Sequence, residues 1–467
     1  MKKKVLTKKQ KNKLKKKKYI EKKKKERNEY MQYYKSLIDE NKNKIWIPPI
    51  DIEYNDVFTD SVFTILKYDS ENTNQIENKI ISEFEDEYIK SMNLEMHLYD
   101  HQKTILGQWL NAYIKMYNAT LYFIKHNKCS LNYKKLRTNH LKDIRNVIQI
   151  GSQLKGVQQN TKIMIHMLDC AIKLACSNYK SALTNLRKGN IRHFRIRYWK
   201  MNKPFNLIEI ESSFFRDGSM CPDILGNIKC TYDGKEYDMG KLDRINKITC
   251  TLYYTRDEDK YELLVPIKIK SKNNNNTKEM MIMDPGIRVF MTGLSENEVL
   301  KIGEDMSSKV KYYLTKIDKI NKNNKVPVKV KKKINKRCNK KISNMIDELH
   351  WKVINYLIQN YKTILVGDMS VKGITNNERS TLSKMTKRIA YKLKFYTFRQ
   401  RLEYKCKINK INYATIDEKF TSKMCSYCGN CKEDLGSSKI YNCTSCKKIM
   451  DRDINGCRGI YIKSLDN

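Results

Sequence analysis

The feature that most constrains the fold of this chain is a pair of Cys-x-x-Cys motifs near its C-terminus. Cys425 and Cys428 form the first motif, and after a gap of 14 residues Cys443 and Cys446 form the second. This spacing is close to that of zinc ribbons, one residue short of the usual range. Four thiolates suit a tetrahedral Zn²⁺ ion with no open coordination position, so the segment predicts a hairpin around a structural zinc. Cys431 lies outside the pattern as a spare thiol.

The remaining cysteines and the hydropathy of the chain predict an intracellular protein. The chain has 467 residues, 14 of them cysteine, and the cysteines outside the two motifs are scattered singly, unlike a disulfide scaffold. No apolar run approaches the roughly 20 residues that span a bilayer, and the basic N-terminus lacks the apolar segment of a signal peptide. We therefore expect reduced thiols and a location in the nucleus or cytoplasm, with no secretion and no membrane partner. The seven histidines show no metal-binding spacing, so histidine-based metal catalysis has no support.

The charge of the chain points to nucleic acid as a partner. The formal net charge is +42, and residues 1–27 carry 16 Lys and Arg against two Glu, so most of the excess lies outside this arm. Charge on this scale attracts phosphate polymers through counterion release. A coding bias towards A+T-rich codons would also produce many lysines, and composition alone leaves both explanations open. Residues 51–96 are acidic instead, either as a solvated extension or as a segment that packs on the basic surface.

A coarse secondary-structure prediction gives a multi-domain α/β protein. Apolar residues at helical spacing over 98–127 and 161–188 predict a helical subdomain, whereas 247–255 and 261–270 predict a hairpin in a small β-barrel. From residue 279 strands and helices alternate, which favours a mixed α/β core. The predicted segments are a basic Lys-rich arm (1–40), an acidic extension (41–97), a helical nucleic-acid-recognition subdomain (98–200), the β-barrel (201–277), the α/β core (278–420), the cysteine hairpin (421–447) and a final helix (448–467).

One segment at the end of the helical subdomain alternates arginines with aromatic residues. Arginine and aromatic side chains together suit pairing with phosphates and stacking on bases. A half-buried strand with a charged outer face is the simpler alternative. The candidate nucleic-acid-binding residues are Arg192, Arg195, Arg197, Tyr198 and Trp199.

Several acidic residues follow predicted strands in the C-terminal half, where active sites of α/β sheets gather. Each one alone has a structural explanation, such as a turn or a helix N-cap. Together they suit phosphodiester hydrolysis by two divalent cations, because Mg²⁺ prefers oxygen ligands and several carboxylates must converge on the pair. The candidates are Asp284, Asp368, Asp417, Glu418, Asp451 and Asp453.

Five segments between residues 279 and 467 occur in an order that resembles the TnpB proteins of insertion sequences. They are MDPGIRVFMTGLS, the stretch from MIDELHW to GDMSVKGI, FRQRLEYK, TSKMCSYCG and DRDINGCRGI. A weaker resemblance extends to the helix containing Tyr117 and Asn118. The resemblance implies an RNA-guided DNA endonuclease with an RNase H-like (RuvC) core, related to type V CRISPR effectors, with a guide RNA and target DNA as partners.

The resemblance also assigns metal ligands. It makes Asp284 the first catalytic ligand and Asp453 the third, with Asp451 the weaker choice, and it makes the four cysteines a zinc ribbon inserted before the last helix. A glutamate of TnpB is replaced here by Gly367. The adjacent Asp368 is a poor substitute, because a shift of one residue along a strand turns a side chain to the opposite face.

Glu418 is the better substitute for the missing glutamate. In an RNase H-like sheet the strand that ends before Glu418 lies beside the strand bearing Gly367, and the glycine leaves space. The displaced glutamate resembles the Fanzor branch of eukaryotes and large DNA viruses. The expected catalytic set is Asp284, Glu418 and Asp453, with two Mg²⁺ ions. The alternative is a catalytically inactive descendant of TnpB that binds nucleic acid as a repressor does. A third possibility, a strand-transferring transposase, has no support, because the sequence lacks the signature residues of such enzymes. The sequence leaves the oligomeric state open.

Overall fold

The computed structural model describes most of the chain, in two compact units. The described residues are 8–42, 49, 52–69, 82–127, 131–151, 163–242, 249–273, 275–375, 382–418, 421–432, 434, 436 and 438–466. One unit comprises Met1–Asp86 with Lys270–Asn467, and the other comprises Glu87–Ile269. No described helix is long and apolar enough to cross a membrane.

Twelve α-helices lie within the described residues. They are α1 (Lys8–Asn41), α2 (Asp100–Asn127), α3 (Tyr133–Lys135), α4 (Lys142–Gly151), α5 (Ile165–Arg187), α6 (Pro222–Leu225), α7 (Met306–Lys322), α8 (Val328–Asn360), α9 (Val371–Thr375), α10 (Lys384–Lys392), α11 (Phe395–Ile408) and α12 (Arg452–Ser464).

Seventeen strands lie within the same residues. They are β1 (Asp56–Thr59), β2 (Phe63–Lys67), β3 (Glu87–His97), β4 (Phe205–Ile210), β5 (Phe215–Arg216), β6 (Ser219–Met220), β7 (Lys229–Tyr232), β8 (Lys235–Tyr237), β9 (Cys250–Thr255), β10 (Lys260–Lys270), β11 (Lys278–Pro285), β12 (Met291–Leu294), β13 (Glu298–Ile302), β14 (Tyr361–Gly367), β15 (Asn412–Ile416), β16 (Ile440–Asn442) and β17 (Ile449–Asp451).

The first unit is built on a seven-stranded mixed sheet in the order β1-β2-β13-β12-β11-β14-β15. β11, β14 and β15 are parallel to one another, and the other neighbours are antiparallel. The carboxyl ends of three adjacent parallel strands therefore meet at one edge of the sheet, where ligand sites form in such sheets.

Both faces of this sheet are covered, which explains the nearly continuous apolar runs of β11 and β14. Successive side chains on a strand point to opposite faces. Met281 and Met283 pack in the core formed with α7, α8 and α11, whereas Met280 and Ile282 pack in the core formed with α12. The alternation places position 284 on the α12 face.

The second unit packs helices α2 and α5 on a six-stranded sheet in the order β4-β9-β10-β3-β7-β8. The predicted helices over 98–127 and 161–188 are confirmed as α2 and α5, and the predicted hairpin is confirmed as β9 and β10. The predicted β-barrel is not confirmed, because within the described residues the sheet is open, with β4 and β8 as its edges.

Three further segments differ in detail from the prediction. Of the residues predicted as a basic arm, 8–40 lie in α1, whose C-terminal part is packed, and 1–7 lie outside the described residues. The described part of the segment predicted as an acidic extension supplies strands to both large sheets, since β2 pairs with β13 and β3 pairs with β7. The helix predicted over about 379–405 is interrupted at Lys394, whose φ of +53° is left-handed.

Candidate metal sites

Four cysteine sulfurs form a tight cluster in the hairpin that contains β16 and β17. Cys425 Sγ lies 3.7 Å from Cys446 Sγ, and Cys428 Sγ lies 3.6 Å from Cys443 Sγ. In a tetrahedron with metal–sulfur bonds of about 2.3 Å, sulfurs lie about 3.8 Å apart. The cluster could therefore hold a tetrahedral metal ion such as Zn²⁺, and the cysteines predicted from the sequence are the ones that meet.

The backbone around the second Cys-x-x-Cys motif favours the thiolate form of Cys443. Burial alone would raise the pKa of Cys443, but the backbone N–H groups of Cys446 and Ser445 point at its sulfur and lower the pKa to about 7. Burial raises the pKa values of Cys425 and Cys428. A cation at the centre of the cluster would stabilise all the thiolates, since metal ligands must be deprotonated.

Cys431 does not belong to this cluster. It packs instead with Met424 and with the C-terminal part of α1, where Tyr34 and Leu37 are 0% and 6% exposed. The prediction that Cys431 is a spare thiol therefore agrees with its position. The contact with α1 was not predicted, because the lysines of the N-terminal segment dominate its composition.

Asp284 lies at the carboxyl end of β11, against the first turn of α12. A Cβ atom added at Gly456 would lie 2.5 Å from Asp284 Oδ2, so only glycine permits this approach. Burial, followed by the nearby charges of Glu418 and Asp453, raises the pKa of Asp284 well above its usual range. The carboxyl group is therefore buried among other carboxyl groups.

Glu418 occupies the space that Gly367 leaves open. β14 and β15 are parallel neighbours in which Gly367 lies opposite Ile416, two residues before Glu418. A Cβ atom at Gly367 would lie 2.6 Å from Glu418 Oε2. Burial raises the pKa of Glu418 to about 7, and the positive charge of Arg399 opposes that rise.

Asp368 has a different partner. Arg399 Nη2 lies 2.7 Å from Asp368 Oδ1, and Nη1 of the same guanidinium donates to the carbonyl of Met369. The side chain of Asp368 is 52% exposed. Its ion pair agrees with the expectation that position 368 is a poor replacement for a glutamate at 367.

The first turn of α12 separates the roles of its two aspartates. Asp451 is the N-cap: its Oδ1 accepts hydrogen bonds from the backbone N–H groups of Asp453 at 2.8 Å and Ile454 at 3.3 Å. Lys301 Nζ lies 3.6 Å from Asp451 Oδ2. Asp453 is not needed as the cap, and burial, followed by the charge of Asp451, raises its pKa.

The three carboxylates are spaced more widely than the sulfurs. Among the described residues, only the four cysteines bring three or more metal-binding side chains within 4.8 Å of one another. Asp284 nevertheless interacts electrostatically with both Glu418 and Asp453. Buried carboxyl groups that repel one another suit cations bound between them.

Helix α12 connects the two candidate sites. Asn455, two residues after Asp453, is fully buried, and its side chain is hydrogen-bonded to the backbone around the first Cys-x-x-Cys motif. Its Nδ2 donates to the carbonyl of Met424 at 2.8 Å, and its Oδ1 accepts from the N–H of Ser426 at 2.9 Å. Arg458 Nε donates to Ser426 Oγ at 2.8 Å. The hairpin is therefore fixed to the helix that carries Asp453.

The last turn of α12 contacts the loop before Glu418. The Lys463 ammonium donates to the carbonyl of Asp417, and it lies 4.7 Å from the ring centroid of Tyr30 in α1. Burial lowers the pKa of Lys463 to about 8. These contacts join α1, α12 and the loop that carries Glu418.

The predicted nucleic-acid-binding segment 191–200 has no regular secondary structure. Arg192, Arg195 and Arg197 are exposed, as is Tyr198, whose ring has Lys125 Nζ 4.3 Å from its centroid. Trp199 is held in place by Tyr117, 5.3 Å away and edge-on, and by hydrogen bonds to Asn118 and Asn206. The arginines and Tyr198 are thus open to solvent, whereas Trp199 anchors the segment.

Gly456, Arg399 and Lys463 are functional residues that were not among the candidates predicted from the sequence. Gly456 had a usable signal, because a glycine inside a helix costs about 1 kcal/mol relative to alanine and marks a close approach. Arg399 lies within the TnpB-like segment FRQRLEYK, but its pairing with Asp368 could not be predicted from local spacing. Lys463 had no signal, because Asp417 is 46 residues away.

The C-terminal region matches a known family model. Residues 395–460 match the family described as Cas12f1-like, TNB domain. A solved Cas12f1–sgRNA–target DNA complex has a TM-score of 0.44 at 12% identity, covering 78% of this chain and 83% of that chain. The mini RNA-guided endonuclease CRISPR-Cas_phi3 has a TM-score of 0.43 at 9% identity, covering 83% and 94%. Both scores are below 0.5, so the family assignment rests on sequence relatives.

Two of the sequence relatives match most of the chain. Two TnpB-like proteins of Acanthamoeba polyphaga mimivirus are each 32% identical to it, over 91% of this chain and 88% of their own length. A TnpB-like protein of Methanocaldococcus jannaschii is 27% identical over 44% of this chain and 76% of its own length. The chain belongs to the TnpB-like proteins, a family associated with transposons.

Proposed function

We propose that this chain is an RNA-guided DNA endonuclease that hydrolyses phosphodiester bonds at a two-metal site made by Asp284, Glu418 and Asp453. The main support for the proposal is that Glu418 fills the space left open by Gly367. The Glu418 carboxylate lies where a side chain at position 367 would begin, 2.6 Å from the position of its Cβ atom. A carboxylate is thus present on the correct face although the usual position holds glycine.

The sheet of the first unit supports an RNase H-like (RuvC) core. Counted from β11, three antiparallel strands, β11, β12 and β13, are followed by two strands parallel to β11, on its other side. This arrangement is the one expected of an RNase H-like sheet. It brings Asp284 and the end of β15 to the face covered by α12.

The three carboxylates would hold divalent cations, which supply water activation and stabilisation of the leaving oxygen when bound. Asp284 is fixed by the end of β11 and by the close approach of Gly456. Glu418 is oriented by the loop that Lys463 holds, and Asp453 by the turn that Asp451 caps. Burial is the main cause of the raised pKa values of these acids, and bound cations would stabilise their charged forms.

The partners follow from the family and from the charge. The similar Cas12f1 structure is a complex with sgRNA and target DNA. A guide RNA would supply sequence specificity by base pairing, while the protein binds backbone. The net charge of +42 supports this assignment. In this proposal the four-cysteine ribbon holds a structural Zn²⁺ that orders the segment between Glu418 and Asp453.

The test uses protein purified with its bound RNA, whose sequence defines a matching DNA duplex. In the presence of Mg²⁺ we expect cleavage, and we expect Asp284→Asn to reduce its rate at least about 100-fold, because metal ligation contributes several kcal/mol. Asp451→Asn, which preserves the shape of the cap, serves as the matched control and should retain most activity. Sequence-specific binding without cleavage would support the inactive, repressor-like alternative instead.

A further inference from the structure

The hairpin formed by α7 and the first half of α8 carries a strong excess of positive charge. Residues 306–344 contain 14 Lys and Arg and a single acidic residue, Asp318. Arg388 of α10 binds that aspartate through two hydrogen bonds of 2.6 and 3.0 Å. The one negative charge of this segment is therefore already compensated.

Codon composition does not explain this excess. A+T-rich codons specify Asp and Glu as well as Lys, and acidic residues are common elsewhere in the chain. The second half of α8, residues 345–360, contains Asp347 and Glu348 against Lys352. Within the continuous helix α8, the positive excess is thus confined to the half that packs beside α7.

The basic residues occupy the solvent side of the hairpin. In α7, Val310, Leu314 and Ile317 are buried at helical spacing, and in α8 Cys338 and Ile342 continue the buried stripe. At 100° per residue, positions 329, 332, 333 and 336 lie on the side of α8 opposite to this stripe. The exposed basic residues of the hairpin are Lys309, Lys311, Lys316, Lys319, Lys322, Lys325, Lys329, Lys332, Lys333, Lys336, Arg337, Lys340 and Lys341.

Aromatic side chains are scarce on this surface. Tyr312 is 62% exposed and Tyr313 is partly buried, and residues 323–344 contain no aromatic residue. Proteins that bind single strands combine positive charge with aromatic platforms for the bases. A surface of point charges without such platforms fits phosphates of a double helix, whose bases are stacked inside.

We propose that the exposed basic face of the α7–α8 hairpin binds the sugar–phosphate backbone of a double-helical nucleic acid. The inference rests on the proposed function, in which nucleic acid is the partner, and it assigns a binding surface outside the carboxylate site. From residue 329 to 341 the helix rises about 18 Å, the length of about five nucleotides of one strand at a rise of about 3.4 Å along the axis of a double helix. Contacts of this kind are independent of sequence.

The test compares two triple variants in an Asp284→Asn background without Mg²⁺, so that binding is measured apart from cleavage. Lys329, Lys332 and Lys333 are replaced by Gln in one variant and by Arg in the other, which keeps the charge. The probes are an RNA stem-loop, an RNA–DNA hybrid, a DNA duplex and a single-stranded RNA, each at salt concentrations from about 50 to 200 mM, the range over which phosphate binding changes most clearly. Thermal melting of both variants checks that the fold is unchanged.

For the Gln variant we expect the slope of log affinity against log salt to fall by up to about 2.7 on double-helical probes, or about 0.9 for each phosphate that is no longer neutralised. The decrease in affinity between about 50 and 200 mM salt would then be smaller by a factor of up to about 40. The Arg variant should behave as the parent. The strongest effect among the three double-helical probes identifies the source of the bound helix.

Two outcomes would overturn the inference. A slope for the Gln variant within about 0.9 of the parent on every double-helical probe would show that these lysines do not neutralise phosphates. An equal decrease on the single-stranded probe would show that the surface does not select a double helix. Neither outcome bears on cleavage, which the Asp284→Asn comparison tests separately.

Discussion

The cysteine cluster and the carboxylate cluster are both groups of metal-binding side chains, but the chain assembles them differently. The four cysteines come from one hairpin of 22 residues, and their sulfurs lie within 4.8 Å of one another. The three carboxylates come from β11, from the end of β15 and from α12, spread over 170 residues, and they are more widely spaced. The first site is set by local spacing, and the second by sheet topology.

Burial raises the pKa values of acids in both clusters, but the clusters differ in the protein groups that oppose this rise. Around the cysteines, backbone N–H groups lower the pKa of one thiol, so the protein itself prepares a thiolate. Around the carboxylates, burial raises the pKa values of Asp284 and Glu418, and the charges of Glu418 and Asp453 add to the rise at Asp284. A metal ion would balance the negative charge in both clusters, but a structural zinc is closed by four protein ligands, whereas a catalytic site keeps coordination positions open for substrate and water.

The largest effect that would sharpen this comparison is expected from Cys443→Ser. Without that thiolate the hairpin should release zinc and become disordered, since its few buried apolar residues cannot stabilise it without metal. We expect destabilisation of the hairpin by several kcal/mol, out of about 10–16 kcal/mol for structural zinc binding. Zinc content per chain and hydrogen exchange over 421–451 measure the change. Cys431→Ser is the matched control and should retain zinc. Zinc release in that control would mean that the wrong fourth ligand has been assigned.

A smaller effect is expected from pH on the carboxylate cluster. The folded chain raises the pKa of Glu418 from 4.5 to about 7, so between these values it holds a proton that the unfolded chain releases. The stability of zinc-loaded, Mg²⁺-free protein should therefore fall as pH rises from about 5 to 8. Glu418→Gln should remove on the order of 1–3 kcal/mol of this dependence. Urea denaturation at several pH values measures it, and an unchanged slope in the variant would contradict the burial of Glu418.

The smallest effect concerns the space beside Glu418. Gly367→Ala places a Cβ atom 2.6 Å from Glu418 Oε2 and 2.9 Å from Pro285 Cδ, so the glutamate must move. We expect cleavage to slow at least about tenfold, or about 1.4 kcal/mol, with zinc content unchanged. Gly373→Ala is the control, since its nearest neighbour would be 3.4 Å away in a helix. Full activity of the Gly367 variant would show that this space is not part of the site.

The extent to which sequence predicted each cluster reflects the same difference. The cysteine ligands could be predicted from spacing, because each Cys-x-x-Cys motif places its two ligands three positions apart in the sequence. The strands bearing Asp284 and Gly367 followed from apolar runs, and the face of each residue followed from alternation. The position of Glu418 beside Gly367 needed knowledge of strand order, which spacing along the chain does not contain.

Other parts of the structure had no signal that could be read from composition. The apolar residues of α1 near Tyr34 are diluted by lysines, and their partners Met424 and Ile462 lie near the other end of the chain. The acidic segment before residue 97 was judged by its charge, although Val62 and Phe63 pack in the core of the first unit. The predicted barrel relied on one hairpin, which is equally compatible with an open sheet.

The most direct test of the account compares two neighbouring acids as the second catalytic ligand. Cleavage of a matching DNA duplex is measured with bound RNA and Mg²⁺ for Glu418→Gln and for Asp368→Asn. We predict that Glu418→Gln slows cleavage at least about 100-fold, because a metal ligand contributes several kcal/mol, and that Asp368→Asn slows it less than about tenfold. Cleavage that survives Glu418→Gln but is abolished by Asp368→Asn would contradict the assignment.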